Sequence, residues 1–237
     1  MRTILLLFIS LQSQLYFSQQ VNTDLKYLVN YPIQKSTKSP VLIMLHGFGS
    51  NEQDLFTLAK IIAPDFTVFS LRAPLSTGRG GYCWYKLEFL PNQKFRHDYA
   101  QAKISRDQIM SFIRSACRSF NLDSNNVYLL GFSQGAIMSY ELAMSGPGAI
   151  RGIVALSGSM MENSQEAIKE PDKIKKLRYF IAHGTADDVI RIADGEKAAA
   201  FLKEKGVTDL TFRKYPMRHN ISEAELQDIK AWLKAGK

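Results

Sequence analysis

The sequence predicts an α/β fold: a mostly parallel central sheet with helices on both faces. Three observations carry this expectation. Short apolar runs alternate with longer amphipathic stretches along the 237 residues. Two of those runs, Val41-Leu42-Ile43-Met44-Leu45 and Val127-Tyr128-Leu129-Leu130, contain no polar break, as in strands buried on both sides. The second run passes through Gly131-Phe132-Ser133-Gln134-Gly135 directly into a helical pattern from Ala136. A strand that becomes a helix within five residues, with Gly on either side of Ser, is a nucleophile-elbow pattern. The turn is sharp enough that side chains flanking the Ser would collide, which accounts for the glycines.

In chain order, residues 24–31 read as an edge strand closed by Pro32, and 41–45 as a central strand. Ser50 and Gln53 stand at capping-box spacing and predict a helix to about Ala63. A strand at 67–71 follows. Residues 76–97, rich in Gly and aromatic side chains, read as a loop of a length usually tied to function. The stretch 98–120 is a long helix with Ile109, Ile113, Ala116 and Phe120 on one stripe. Strands are expected at 150–156, 177–182 and 210–215, and a helix at 194–205 stopped by Gly206. Pro171 breaks a short helical piece. Ser222 and Glu225 cap the last helix, whose Leu226, Ile229 and Leu233 face inward. Met160 and Met161 read as core filling before an adaptable apolar wall of the site.

The first 18 residues stand apart. Arg2 precedes the apolar run Ile4-Leu5-Leu6-Leu7-Phe8-Ile9, and a more polar stretch leads to Ser18. A basic start, a short apolar core and a small residue before the boundary predict a signal peptide at 1–18 and a single mature domain at 19–237. The run is too short to span a bilayer, and export to the periplasm or the medium is the expectation. The formal charge is +8, from 30 basic and 22 acidic residues. The densest basic group, Lys173, Lys175, Lys176 and Arg178, carries no interleaved aromatic residues and reads as a solvated face rather than a nucleic-acid site. Cys83 and Cys117 are the only cysteines and are expected as free thiols. The four histidines show no metal-ligand spacing.

Parallel sheets bind ligands beyond the carboxyl ends of their strands. Phe48, Ser133, Asp187 and His219 each follow a predicted strand, so they converge on one edge although distant in sequence. Ser133, then Asp187, then His219 is the chain order of an α/β-hydrolase triad. In that arrangement His219 takes the Ser133 proton and Asp187 fixes the imidazole. Backbone N–H groups of Phe48 and Gln134 are the expected oxyanion donors. Spacing alone leaves Asp187 and Asp188 nearly equivalent. His46 reads as a brace of the oxyanion loop, and His97 and His183 as structural.

These residues resemble the phospholipase/carboxylesterase family of α/β-hydrolases, which includes acyl-protein thioesterase-like serine esterases. The likeness rests on Leu45-His46-Gly47-Phe48-Gly49-Ser50-Asn51-Glu52, Arg72-Ala73-Pro74, Gly81-Tyr82-Cys83-Trp84-Tyr85, the elbow itself, His183-Gly184-Thr185-Ala186-Asp187-Asp188-Val189-Ile190 and His219. The resemblance implies Asp187 as the acid, no cofactor and no large lid domain. It implies a small-molecule or lipid ester as substrate, including lysophospholipids and thioesters. It also implies that Trp84, Tyr85 and Leu87 line the acyl side of the cleft, with packing within the loop as the other reading of the three. Two positions depart from the family pattern: Arg191 where Pro is usual, and Arg218 where Gly usually precedes the His. Arg218 bears on the pH optimum rather than on the reaction type.

Overall fold

The computed structural model describes residues 21–34, 38–89 and 95–236; the expected signal peptide lies outside the described residues. The strands are β1 Tyr27–Asn30, β2 Val41–Leu45, β3 Thr67–Leu71, β4 Leu75–Gly78, β5 Gly81–Cys83, β6 Leu87–Phe89, β7 Phe95–His97, β8 Val127–Phe132, β9 Gly152–Leu156, β10 Arg178–Gly184 and β11 Leu210–Tyr215. The helices are α1 Gln53–Phe56, α2 Ala59–Ile62, α3 Tyr99–Ser119, α4 Gln134–Ser145, α5 Pro171–Ile174, α6 Ile192–Glu204 and α7 Glu223–Ala235.

Seven of the strands form one sheet in the order β1-β3-β2-β8-β9-β10-β11. Only β1 runs antiparallel, against β3; the other neighbours are parallel. Alternation along each strand splits the core. Val41, Ile43, Leu45, Leu129 and Ile181 pack under α3, α4 and α6 on one face. Leu42, Met44, Leu130 and Phe180 pack under α1, α2 and α7 on the other. A strand covered on both faces must be apolar at every position, which is why β2 is wholly buried. Burial of Ile109, Phe112 and Ile113 on α3 is worth about 1.5–3 kcal/mol per side chain relative to exposure.

Two helices carry side-chain caps, of which the one on α7 is expected from the sequence. Asp98 accepts from the Gln101 N–H at the start of α3. Ser222 and Glu225 make a reciprocal capping box on α7. The predicted helix from Ser50 to Ala63 instead divides into α1 and α2. The Ser50 hydroxyl donates to Asp54 instead of accepting from the Gln53 N–H, whose acceptor is Asn51 Oδ1. Ser50 is held by a bridge to Tyr82, which takes it out of the capping position. The expected loop at 76–97 contains two hairpins, β4–β5 and β6–β7. Pro171 opens α5 rather than breaking a helix, as its missing N–H permits at a first position. His183 lies within β10, not in the loop beyond it. Cys83 and Cys117 are both buried free thiols.

Candidate active site

The elbow occupies the sharp exit of β8. Ser133 has φ 54° and ψ −117°, a region that costs about 1–3 kcal/mol for a residue with a Cβ. The strain is enforced by close backbone approach. A Cβ on Gly135 would stand 1.9 Å from the Leu45 carbonyl oxygen, and one on Gly131 would stand 2.2 Å from the Gly135 carbonyl. The Ser133 hydroxyl does not cap α4. Its Oγ lies 2.9 Å from His219 Nε2, and His219 Nδ1 lies 2.8 Å from Asp187 Oδ2. A carboxylate accepts, so Nδ1 carries the proton and Nε2 is left to accept from the serine hydroxyl.

Each partner is held from behind. Asp187 is buried, and its Oδ1 accepts from the N–H groups of Val189 and Ile190, both at 3.0 Å. His183 Nε2 donates to the Ile190 carbonyl at 2.8 Å and so fastens the far end of the same loop. The Phe132 ring lies 4.9 Å from the His219 ring, centroid to centroid.

The loop after β2 is braced with equal care. His46 Nδ1 donates to the Gly47 carbonyl, and Nε2 accepts from Ala73 N at 3.1 Å. Burial pulls the His46 pKa below its ordinary value, so the ring stays neutral, as a group that both donates and accepts must. Gly49 N donates to Tyr82 O at 2.9 Å. Arg72 grips Glu52 through two guanidinium nitrogens and stacks over the Tyr82 ring at 4.6 Å. Among the described residues, neither the Phe48 N–H nor the Gln134 N–H donates to a protein acceptor. Both belong to residues that line one cavity of about 530 Å³, together with Tyr85, Leu87, Ser133, Ile137, Asp188, Val189, Ile190 and His219.

A family model described as Phospholipase/Carboxylesterase matches residues 29–236. The chain belongs to the phospholipase/carboxylesterase family. Membership places it among carboxylic ester hydrolases. It is similar to acyl-protein thioesterase 1 of Emericella nidulans, at 27% identity over 217 residues, which cover 81% of this chain and 88% of that one. It is 36% identical to the carboxylesterase SOBER1 of Arabidopsis thaliana over 110 residues, covering 46% and 48% of the two chains. A carboxylesterase structure from Bacillus cereus matches with a TM-score of 0.76 at 23% identity, over 91% of this chain and 96% of that one. Acyl-protein thioesterase 2 of Zea mays gives a TM-score of 0.74 at 20% identity, over 89% and 98%. At these identities the two structures show the α/β-hydrolase fold.

Within this phospholipase/carboxylesterase chain, the structure corrects one expected site residue. Trp84 does not line the cavity. It is fully buried, and its Nε1 donates to the His46 carbonyl at 2.9 Å. Tyr85 and Leu87 do face the cavity. Met161 is core, as expected, and lies away from the cavity lining. Arg218 is exposed and ion-paired with Asp188 at the rim, where its guanidinium holds the Asp188 carboxyl below its usual range. Two contributions escaped the sequence: the His183 bond to Ile190, and the Gln134 side chain. A lone His in an apolar run gives no sign of which carbonyl it meets.

Proposed function

We propose that the chain is a serine esterase that cleaves carboxylic esters of short to medium acyl chains through an acyl-Ser133 intermediate. The observation that supports this most is the hydrogen-bonded sequence Ser133–His219–Asp187 opening into one apolar cavity. His219 Nε2 accepts the hydroxyl proton as Ser133 Oγ bonds to the acyl carbon. Asp187 stabilises the imidazolium so formed. The carbonyl oxygen becomes an oxyanion facing the Phe48 and Gln134 N–H groups, each worth about 3–4 kcal/mol of barrier. Collapse expels the alcohol, which takes the proton from His219. Water then loses a proton to the same nitrogen as it attacks the acyl carbon. The Ser133–acyl bond breaks, with His219 returning that proton to Ser133 Oγ and the carboxylic acid leaving. No step calls for a cofactor.

Tyr85 and Leu87 form the acyl wall in this scheme, and the substrate is a small-molecule or lipid ester. A thioester or lysophospholipid substrate is the second reading, favoured by the similarity to acyl-protein thioesterase 1; the same groups serve it, since only the leaving atom or group differs. Purified protein is expected to hydrolyse p-nitrophenyl esters. Ser133→Ala should lower kcat by at least about 10⁴-fold with an unchanged melting temperature. Activity retained in that variant would refute the scheme.

Export completes the proposal. Protein recovered from its native host is expected to have an intact mass that begins near residue 19. A mass that includes residue 1 would contradict it.

A further inference from the structure

The segment between β5 and β6, residues 84–86, carries Tyr85 to the cavity without belonging to a strand. Buried backbone N–H and C=O groups need partners, and here side chains supply them. Gln134 Oε1 accepts from Trp84 N at 2.9 Å, and Gln134 Nε2 donates to Tyr85 O at 2.7 Å. The Ser105 hydroxyl donates to Trp84 O, and Gln101 Oε1 accepts from Lys86 N at 2.9 Å. Ser105 and Gln101 reach over from α3, whereas Gln134 reaches out from the elbow itself. Gln134 is 2% exposed, so both of its bonds are shielded from water.

We infer that the Gln134 side chain sets acyl-chain selectivity by fixing the Tyr85–Leu87 wall at a set distance from Ser133. The inference rests on the esterase reading above. Its force lies in one residue bearing both features. The Gln134 backbone N–H faces the oxyanion position, while its carboxamide clamps the chain that presents the wall. Acyl carbon and acyl tail are therefore registered against a single residue, and the depth left for the tail cannot drift independently of the reacting centre. Gln134 is in this respect a positioning residue: its side chain acts on the acyl tail through Tyr85.

Other contacts hold the neighbours of Tyr85: Trp84 through Ser105 and the His46 carbonyl, Lys86 through Gln101 and the Asp98 N–H, and Leu87 through its pairing with β7, whereas the Tyr85 carbonyl is held by Gln134. Tyr85 is fully buried behind the cavity it lines, and its hydroxyl meets His97 Nδ1 at 3.1 Å on β7. That bond orients the ring; the Trp84 N–H and the Tyr85 carbonyl are bonded by Gln134, and the Trp84 carbonyl by Ser105. Removing the carboxamide strands one buried donor and one buried acceptor, so the segment must move to regain partners.

The test is the kcat/KM profile over p-nitrophenyl acetate, butyrate, hexanoate and octanoate for wild type, Gln134→Met and Ser105→Ala. Met keeps the length of Gln and loses both hydrogen bonds. One methylene in a well-fitted apolar pocket is worth about tenfold or more. The preference for the best chain length over acetate is thus expected to fall about tenfold in Gln134→Met, chiefly through KM. Ser105→Ala, which leaves the elbow untouched, is expected to shift it the same way by a smaller factor. Fluorophosphonate labelling of Ser133 reports separately on the reacting centre. A preference unchanged in both variants, or a fall that is equal for every ester and matched by lost labelling, overturns the inference while leaving the esterase reading intact. Should Gln134→Met fail to fold, the Ser105→Ala profile decides alone. Wild-type protein that cleaves no ester would count against the esterase reading instead.

Discussion

Asp187→Asn is expected to lower kcat by about 10⁴-fold, whereas Asp188→Asn leaves it within about fivefold. The contrast follows from how the two neighbours are used. Asp187 Oδ1 accepts from Val189 N and Ile190 N, and an Asn can retain both bonds through its own carbonyl oxygen. Its amide nitrogen must then face His219 Nδ1 at the position where Oδ2 now accepts. A donor there forces the imidazole into the other tautomer, with its proton on Nε2. That nitrogen can no longer accept the Ser133 hydroxyl proton. The loop survives and the chemistry fails. Asp188 lies one residue away but points to the rim, where it pairs with Arg218 in the open. Exposed pairs of this kind contribute little. Kinetics on p-nitrophenyl acetate, with melting curves to confirm folding, separate the two; equal losses would mean that the acid has been misassigned.

Gly135→Ala carries the second large effect, on the fold and the site together. The added methyl would lie 1.9 Å from the Leu45 carbonyl oxygen and 2.9 Å from that of His46. Both obstacles are backbone at the end of the central strand, so no side chain can rotate away. Overpacking of this sort costs about 3 kcal/mol or more. For a chain of this size that lowers the melting temperature by about 6–12 °C. Activity should fall further than stability, about 10²-fold or more, because α4 and the loop bearing Phe48 are driven apart by the same methyl. Gly49→Ala is the matched contrast. No atom lies within 4 Å of its virtual Cβ, but its φ is +78°, so only the left-handed backbone penalty of about 1–2 kcal/mol applies. Thermal denaturation of the two variants checks the order.

These glycines show why much of the fold is legible in the sequence. A five-residue turn with Gly on both sides of Ser fixes a strand before it and a helix after it. Runs such as Val41–Leu45 then announce strands covered on both faces. Ser222 and Glu225 announce a helix start through local bonds alone, and they form the box they predict. What cannot be read depends on groups far apart in the chain. Ser50 has the right spacing for a cap, but Tyr82 engages it from a distant hairpin. The hairpins within residues 75–97 have strands of three or four residues, too short for a period to show, and their connecting segment is tied down by Gln134, Ser105 and Gln101, which lie far off in the chain.

The candidate site divides along the same line. Ser133, Asp187 and His219 are visible because each follows a strand end in a fixed chain order, and the structure brings their side chains within hydrogen-bond reach. Trp84 is expected as a pocket lining only through the family resemblance, by its place in the loop after the Gly-rich stretch. Only its contact with the His46 carbonyl reveals a brace. Spacing leaves the choice between Asp187 and Asp188 open and the resemblance favours Asp187; in the structure the Asp187 carboxylate is enclosed by loop N–H groups and lies beside His219, while that of Asp188 stands in solvent.

The central claim is that Ser133 is an activated nucleophile, and covalent trapping tests it most directly. Wild-type protein treated with a fluorophosphonate probe and digested should yield one modified peptide, with the adduct on Ser133, and Asp187→Asn should label at least about 10²-fold more slowly. No adduct on the native protein, or an adduct formed equally well on unfolded chain or on another serine, would contradict the account.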